Sequence, residues 1–401
     1  MRISEFTASL FDDIIVDDFW FYDCDDARSQ ALFAARKVVV NGKEYPVTGD
    51  SVSDYRCTLM YHLARENIVG AAKRVNPRAR VFIKFPQWYD EWYRMGYDVF
   101  RQTAVFDGIW VGTEIREFDS DSFGGRVPPT AYYMSMWLGR GIGGEKYGGA
   151  WYDELETSPA TYVEQARMTV LGGARETVLW YLDPVVQVKQ HGGATPHVLA
   201  LRRNIPELLS VAREVQQRTP VGIAIYNPGN TEFGDDYHVF DFVGLFGMPF
   251  TYHHRFPADA PAGFFSYHCL KDPDIVSRLR EFIEAGKPTM LTRALVEALR
   301  GTIDVGRENV CIVSYPREPF KVLEHLTAHH LMTLSREELD RIKQIMMKPF
   351  GVSLSTPNKV GFYLYSDGSW VIANFDEQPA LITFNGETLT VPARGWMYEW
   401  K

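Results

Sequence analysis

No stretch of this sequence stays apolar for the roughly 18 residues that a membrane-spanning helix needs, so none is expected. The first residues, MRISEFTASLFDD, lack the basic start and apolar centre of a secretory signal. Cysteine is scarce. Cys24, Cys57, Cys269 and Cys311 are scattered without a CxxC, and they read as free thiols of a reducing, cytoplasmic compartment rather than a disulfide framework. Basic residues are outnumbered, 42 Lys and Arg against 51 Asp and Glu, for a net charge of −9. With no basic stripe to follow a phosphate backbone, nucleic acid is excluded as a partner. No HxH or HExxH occurs, and the pairs His253-His254 and His329-His330 are sequence neighbours that do not face one site. No metal is therefore expected. Neither GxGxxG nor GxxxxGK(S/T) is present, which argues against a nucleotide and leaves no cofactor to expect.

Aromatic residues, by contrast, are plentiful: 10 Trp, 21 Tyr and 25 Phe make up 14% of the chain. Most fill a core, for which 46% apolar content is ample. Some recur in a pattern. Five apolar strands in the first 185 residues run into acids, tryptophans or both: DIIVDDFWFYD, RVFIKFPQWYDEW, DGIWVGTEIRE, GGAWYDELE and ETVLWYLDP. The strands are expected at 13–21, 80–86, 107–114, 147–154 and 176–182, with helices between them. TLMYHLARENIVGAAKRV has apolar residues at helical spacing and stops before Asn76-Pro77. Thr130–Leu138 forms a shorter helix. Ser158-Pro159 is an N-cap followed by Pro at the first helical position, and Gly172-Gly173 closes that helix. Alternation of this kind predicts a parallel α/β barrel region over 1–205. The Gly-rich GRGIGGEKYGG, at 139–149, reads as a mobile loop or lid.

Residues 206–350 change character. PVGIAIYNP, FFSYHCL, a strand at 288–292 and VCIVSYP predict a smaller, open, flavodoxin-like α/β domain. A helix within KDPDIVSRLREFIEAGKPTMLT has its start signal at Asp272-Pro273 and its stop at Gly286. Residues 351–401 are all β. They carry a Ser-Asp-Gly-Ser turn and an Asn385-Gly386 hairpin signal, and predict a small antiparallel module.

This order resembles glycoside hydrolase family 42 β-galactosidases and their relatives. The stretch KDPDIVSRLREFIEAGKPTMLT looks like that family's glutamine-amidotransferase-like domain, and DDF and FDGIWVGTE are similar to strand ends of glycosidase-like barrels. The resemblance implies a TIM-type (β/α)8 catalytic barrel, an amidotransferase-like domain and a C-terminal β domain. It also implies O-glycoside hydrolysis of a carbohydrate substrate without a cofactor, by a homo-oligomer. Only five barrel strands precede the second region, so a partial barrel or a trimmed N-terminus is expected. An alternative stays open, in which strands at 220–226, 264–269 and 288–292 complete a single barrel of eight. Cys269 has no flanking glycine and Cys311 lies inside a strand, so no amidotransferase nucleophile is expected.

Function in parallel barrels sits at the C-terminal ends of the strands. Glycoside hydrolysis needs two carboxyls facing the scissile bond, and flat rings stack on sugar faces. The catalytic candidates are Asp17 or Asp18 as acid/base, Asp153 as nucleophile and Glu114 as substrate binder or alternative acid. Adjacent Asp17 and Asp18 point to opposite faces, and Ile15 and Val16 are equally apolar, so either can face inward. The substrate-binding candidates are Trp20, Trp88, Trp110, Trp151, Trp180, Glu154 and Lys84, the last a lysine inside an apolar strand. A rival reading is a catalytically silent carbohydrate-binding or assembly protein on the same scaffold.

Overall fold

The computed structural model describes residues 3–17, 21–22, 26–117, 127–179, 196–315 and 327–401. Strands form where apolar residues alternate or run together, and a pair at 37–40 and 43–46 adds to the ones expected. The first are β1 (Asp13–Val16), β2 (Lys37–Val40), β3 (Lys43–Pro46), β4 (Arg80–Phe85), β5 (Gly108–Gly112), β6 (Tyr147–Tyr152) and β7 (Thr177–Leu179). Then follow β8 (Pro220–Val221), β9 (Ile223–Tyr226), β10 (Phe250–His253), β11 (Gly263–Phe265), β12 (Thr289–Thr292) and β13 (Val310–Val313). The last are β14 (Leu354–Ser355), β15 (Val360–Tyr365), β16 (Trp370–Asn374), β17 (Ala380–Phe384), β18 (Glu387–Val391) and β19 (Gly395–Glu399).

The first sheet is a curled, half-barrel parallel sheet in the order β1-β4-β5-β6-β7. Between β1 and β4 the chain inserts the β2–β3 hairpin, which packs a small core of Val38, Val47 and Tyr55. It then forms a long helical rod over 52–75, opened by a reciprocal cap between Ser51 and Asp54. The helix Pro159–Leu171 starts at the Ser158 cap with Pro159 in its first turn, as expected. The glycine-rich stretch corrects an expectation. Residues 134–143 are helical and Gly148 and Gly149 lie inside β6, not in a loop or lid. Its glycines are there for close packing. A Cβ at Gly139 would stand 2.7 Å from the Tyr147 ring, and one at Gly143 2.5 Å from Ile109.

β9, β11 and β12 do not extend the first sheet, so the single eight-stranded barrel is set aside. They join a second, parallel sheet in the order β10-β9-β11-β12-β13. Renumbered by appearance this is the flavodoxin-like order. The helix Ile275–Glu284 presents Ile275, Leu279, Phe282 and Ile283 to it, and Gly286 ends the turn at φ 73°. At the C-terminus two antiparallel sheets, β14-β17-β18 and β19-β16-β15-β8, face each other, with Trp370 against Phe384 at 5.1 Å. Asn385 (φ 49°) and Gly386 (φ 87°) make the β17–β18 turn with both central residues left-handed. β8 is contributed from beside β9, so the C-terminal sheet is completed by the middle of the chain. One continuous core runs through all three parts, with Tyr132 on Tyr363 at 4.6 Å among its contacts. Among the described residues no helix is long and apolar enough to cross a membrane.

Candidate active site

Side chains alternate across a strand, so register decides what shares a face. In the first sheet Val81, Ile83, Phe85, Ile109, Val111 and Ala150 are fully buried and pack on the helical side. The opposite, concave face carries Lys84 in register with Trp110, then Gly149, and Gly112 in register with Trp151, then Val178. Each indole has a glycine beside it. A Cβ at Gly112 would lie 3.0 Å from Trp151 Cζ2, and one at Gly149 3.0 Å from Trp110 Cζ3. Glycine on one strand thus makes room for tryptophan on the next. The edges of this face are open, Ile15 being 52% exposed and Val178 46%, whereas the indoles at its centre are buried, Trp110 at 8% and Trp151 at 1%.

Continued past the strand ends, the same alternation brings Asp17, Glu114 and Asp153 to this face. Asp17 and Glu114 join through a chain of contacts. Lys84 Nζ donates to Asp17 Oδ1 at 2.7 Å and lies 4.2 Å from the centre of the Trp151 ring. Trp151 Nε1 donates to Glu114 Oε1 at 3.1 Å. The Lys84 ammonium therefore pairs with a carboxylate on one side and an indole face on the other. Glu114 is 6% exposed. Asp153 is held by Arg116, Nη1 to Oδ1 at 3.0 Å, with both side chains 2% exposed, and Oδ1 also accepts from Leu155 N at 2.9 Å. Thr113 N donates to Trp151 O at 2.9 Å and keeps the two strand ends side by side.

Two residues that sequence reasoning missed hold these ends. Arg116 follows Glu114 at the same alternation, which was the signal for it. Gln165, buried in the helix Pro159–Leu171, accepts from Ile115 N at 3.1 Å and donates to Asp153 O at 2.6 Å. A third, Gln87, is buried next to Gly112 at the end of β4. Beyond it the β4 segment is anchored in the second sheet. Asp90 accepts from His238 N at 2.6 Å and pairs with His268 Nε2 at 2.7 Å, and Tyr89 donates to Asp241 at 3.0 Å.

The other candidates are less concentrated. Trp88 is half-buried, edge-on to Phe21 at 6.2 Å. Glu154 follows Asp153 and is half-buried, and burial, with the Asp153 charge added, raises its carboxyl above the ordinary range. Asp18, Trp20 and Trp180 lie outside the described residues. Among the described residues no group of three His, Cys, Asp or Glu could hold a metal.

Residues 1–197 match the family model described as a probable glycosyl hydrolase, catalytic domain. An uncharacterized protein of Saccharolobus solfataricus is 28% identical over 204 residues, 46% of this chain and 33% of that protein. The match thus spans a third of the curated relative's length. Among solved structures, Gan42B, a GH42 beta-galactosidase, aligns with 10% identity and TM-score 0.44 over 87% of this chain and 66% of its own. A beta-galactosidase of the psychrophilic Marinomonas ef1 aligns with 10% identity and TM-score 0.42, over 87% and 67%. The exo-beta-1,4-mannosidase Op5Man5 of Opitutaceae bacterium strain TAV5 gives 10% and 0.41, over 73% and 74%.

Proposed function

We propose that the chain hydrolyses an O-glycosidic bond of a carbohydrate at the concave face, with Glu114 and Asp153 as the carboxyl pair. What supports this is that both residues follow the C-terminal ends of neighbouring parallel strands, with Glu114 accepting a hydrogen bond from Trp151. Retention needs the two carboxyls about 5–5.5 Å apart and inversion about 6.5–9.5 Å apart, with room for a water between them. Asp153, oriented by Arg116 and Leu155 N–H, is assigned the nucleophile, and Glu114 the acid/base. This moves the acid/base role from Asp17, which is exposed and paired with Lys84. Asp17 and Lys84 are assigned to substrate hydroxyls, and the buried Trp151 to holding Lys84 and Glu114 in place beneath them.

The second sheet serves assembly and shapes the mouth, with no amidotransferase chemistry. Cys269 is buried, its thiol pushed up by that burial, and it donates to Tyr226 O at 3.4 Å. A cytoplasmic location belongs to the same reading, which the free thiols of Cys57, Cys269 and Cys311 support, and a homo-oligomer is carried over from the resemblance alone.

A second reading, a silent carbohydrate-binding protein, has its own observation: Asp153 and Arg116 are both almost wholly enclosed and locked on each other. Hydrolysis of a panel of aryl glycosides separates the two. Turnover that is lost in Asp153→Asn and Glu114→Gln, with both variants folded, supports the enzyme. A folded wild type that binds sugars and turns none over supports the alternative.

A further inference from the structure

The C-terminal module sends one buried side chain into the half-barrel. Arg394 lies between β18 and β19 with φ 48°, and its side chain is 8% exposed. Nη2 donates to Glu117 Oε2 at 2.8 Å and to Thr161 Oγ1 at 2.6 Å, while Nη1 donates to Glu164 Oε2 at 2.8 Å. Arg167 Nη1 donates to the Arg394 carbonyl at 2.9 Å. Glu117 in turn accepts from Ser158 N at 2.6 Å, so it shares in capping the helix Pro159–Leu171. Burial opposes the charge on Glu117, but hydrogen bonds from Thr161 and Ser158 and the Arg394 guanidinium together hold it below the ordinary range.

Glu117 directly follows Arg116. Past Thr113, whose N–H still bonds Trp151 O, the 114–117 segment has left the β5 ladder, so contacts outside the sheet set its course. The clips are Gln165 on Ile115 N, Glu156 O on Glu117 N at 3.3 Å, and the Glu117 carboxylate. A flat guanidinium that engages Glu117, Thr161, Glu164 and Phe375 O in fixed directions, with Glu377 beside its Nε, constrains position more tightly than an ammonium can. Removing it leaves the Glu117 carboxylate without its cation, beside a Glu164 whose carboxyl burial raises to about 8, and the exit for that uncompensated charge is movement of the 113–117 segment.

We infer that Arg394 is a positioning residue for the Glu114–Asp153 pair: through Glu117, the C-terminal module sets where the segment carrying Glu114 and Arg116 lies. This rests on the glycosidase reading above. The test uses the full chain with Arg394→Met, Arg394→Lys and Glu117→Gln, read by steady-state hydrolysis of aryl glycosides and by amide exchange. The expected result is a kcat lower by roughly tenfold to a hundredfold in Arg394→Met. KM should change little, Arg394→Lys should recover part of the loss, and Glu117→Gln should reproduce it. Amides of 113–117 should exchange faster, and by more than those of β15 and β16. A wild-type kcat per folded molecule in Arg394→Met, or faster exchange confined to the C-terminal module, overturns the inference. If Arg394→Met does not fold, Glu117→Gln decides, and a wild-type kcat there overturns it equally. If the wild type cleaves no glycoside, the functional reading fails by itself, and exchange at 113–117 alone decides the link.

Discussion

At the scale of single residues, the site is a row of charges separated by one indole. Glu114→Gln and Asp153→Asn each remove a reacting carboxyl while keeping its shape. Each should lower kcat/KM by roughly 10²–10⁴-fold, measured on the best aryl glycoside, with circular dichroism unchanged. Arg116→Met acts differently. It leaves Asp153 as an uncompensated charge in a closed site, which should cost about 3–5 kcal/mol of stability in a urea titration. Lys84 is 12% exposed but its partner Asp17 is 59% exposed, so Lys84→Met strands no buried charge and should act mainly on substrate. It breaks the contacts to Asp17 and the Trp151 ring and should raise KM with little change in unfolding midpoint. A Lys84→Met enzyme with a wild-type KM would remove Lys84 from the substrate face.

At the scale of elements, glycine and tryptophan on neighbouring strands act as one unit. Gly112→Ala puts a methyl 2.9 Å from Gln87 N and 3.0 Å from the Trp151 ring, so the indole must shift and carry Glu114's hydrogen bond with it. A changed tryptophan emission together with lost turnover is the expected outcome, and unchanged values of both would refute the pairing. The five strands of the first sheet were legible because apolar runs of strand length alternate with capped helices. The inward face was not legible in β1, where Ile15 and Val16 look alike. Only burial separates them: Val16 packs against the core, while Ile15 is exposed on Asp17's side. Arg116 and Gln165 escaped notice because their partners are distant in sequence and lie beyond the strand ends. The glycines of 139–149 read as a loop because glycine is a poor helix former. Packing of Gly139 on Tyr147 and of Gly143 on Ile109 overrides that preference.

At the scale of the whole molecule, buried histidines tie stability to acidity. Burial, with neighbouring positive charges added, holds His62 and His329 down at about 4, against an ordinary 6.5. As the pH falls below about 6.5 the unfolded chain takes up protons that the folded chain refuses until about 4. Stability is therefore full above 6.5 and declines through this window. Urea midpoints should be lower at pH 5 than at pH 7, and His329→Gln should reduce the difference. An equal difference in wild type and variant would discharge His329 from the effect. β8 has a consequence in time. Val221 sits one residue ahead of β9, in the middle of the chain, yet its strand neighbour is Leu364, near the end. During synthesis the half-barrel and much of the second sheet emerge first, while β8 waits for a partner still inside the ribosome. Contacts so far apart in sequence form late and slowly. The nascent chain should therefore pass through an intermediate in which the first sheet is built and Arg394 has yet to reach Glu117. The last step of folding is then the one that brings the proposed site into working order.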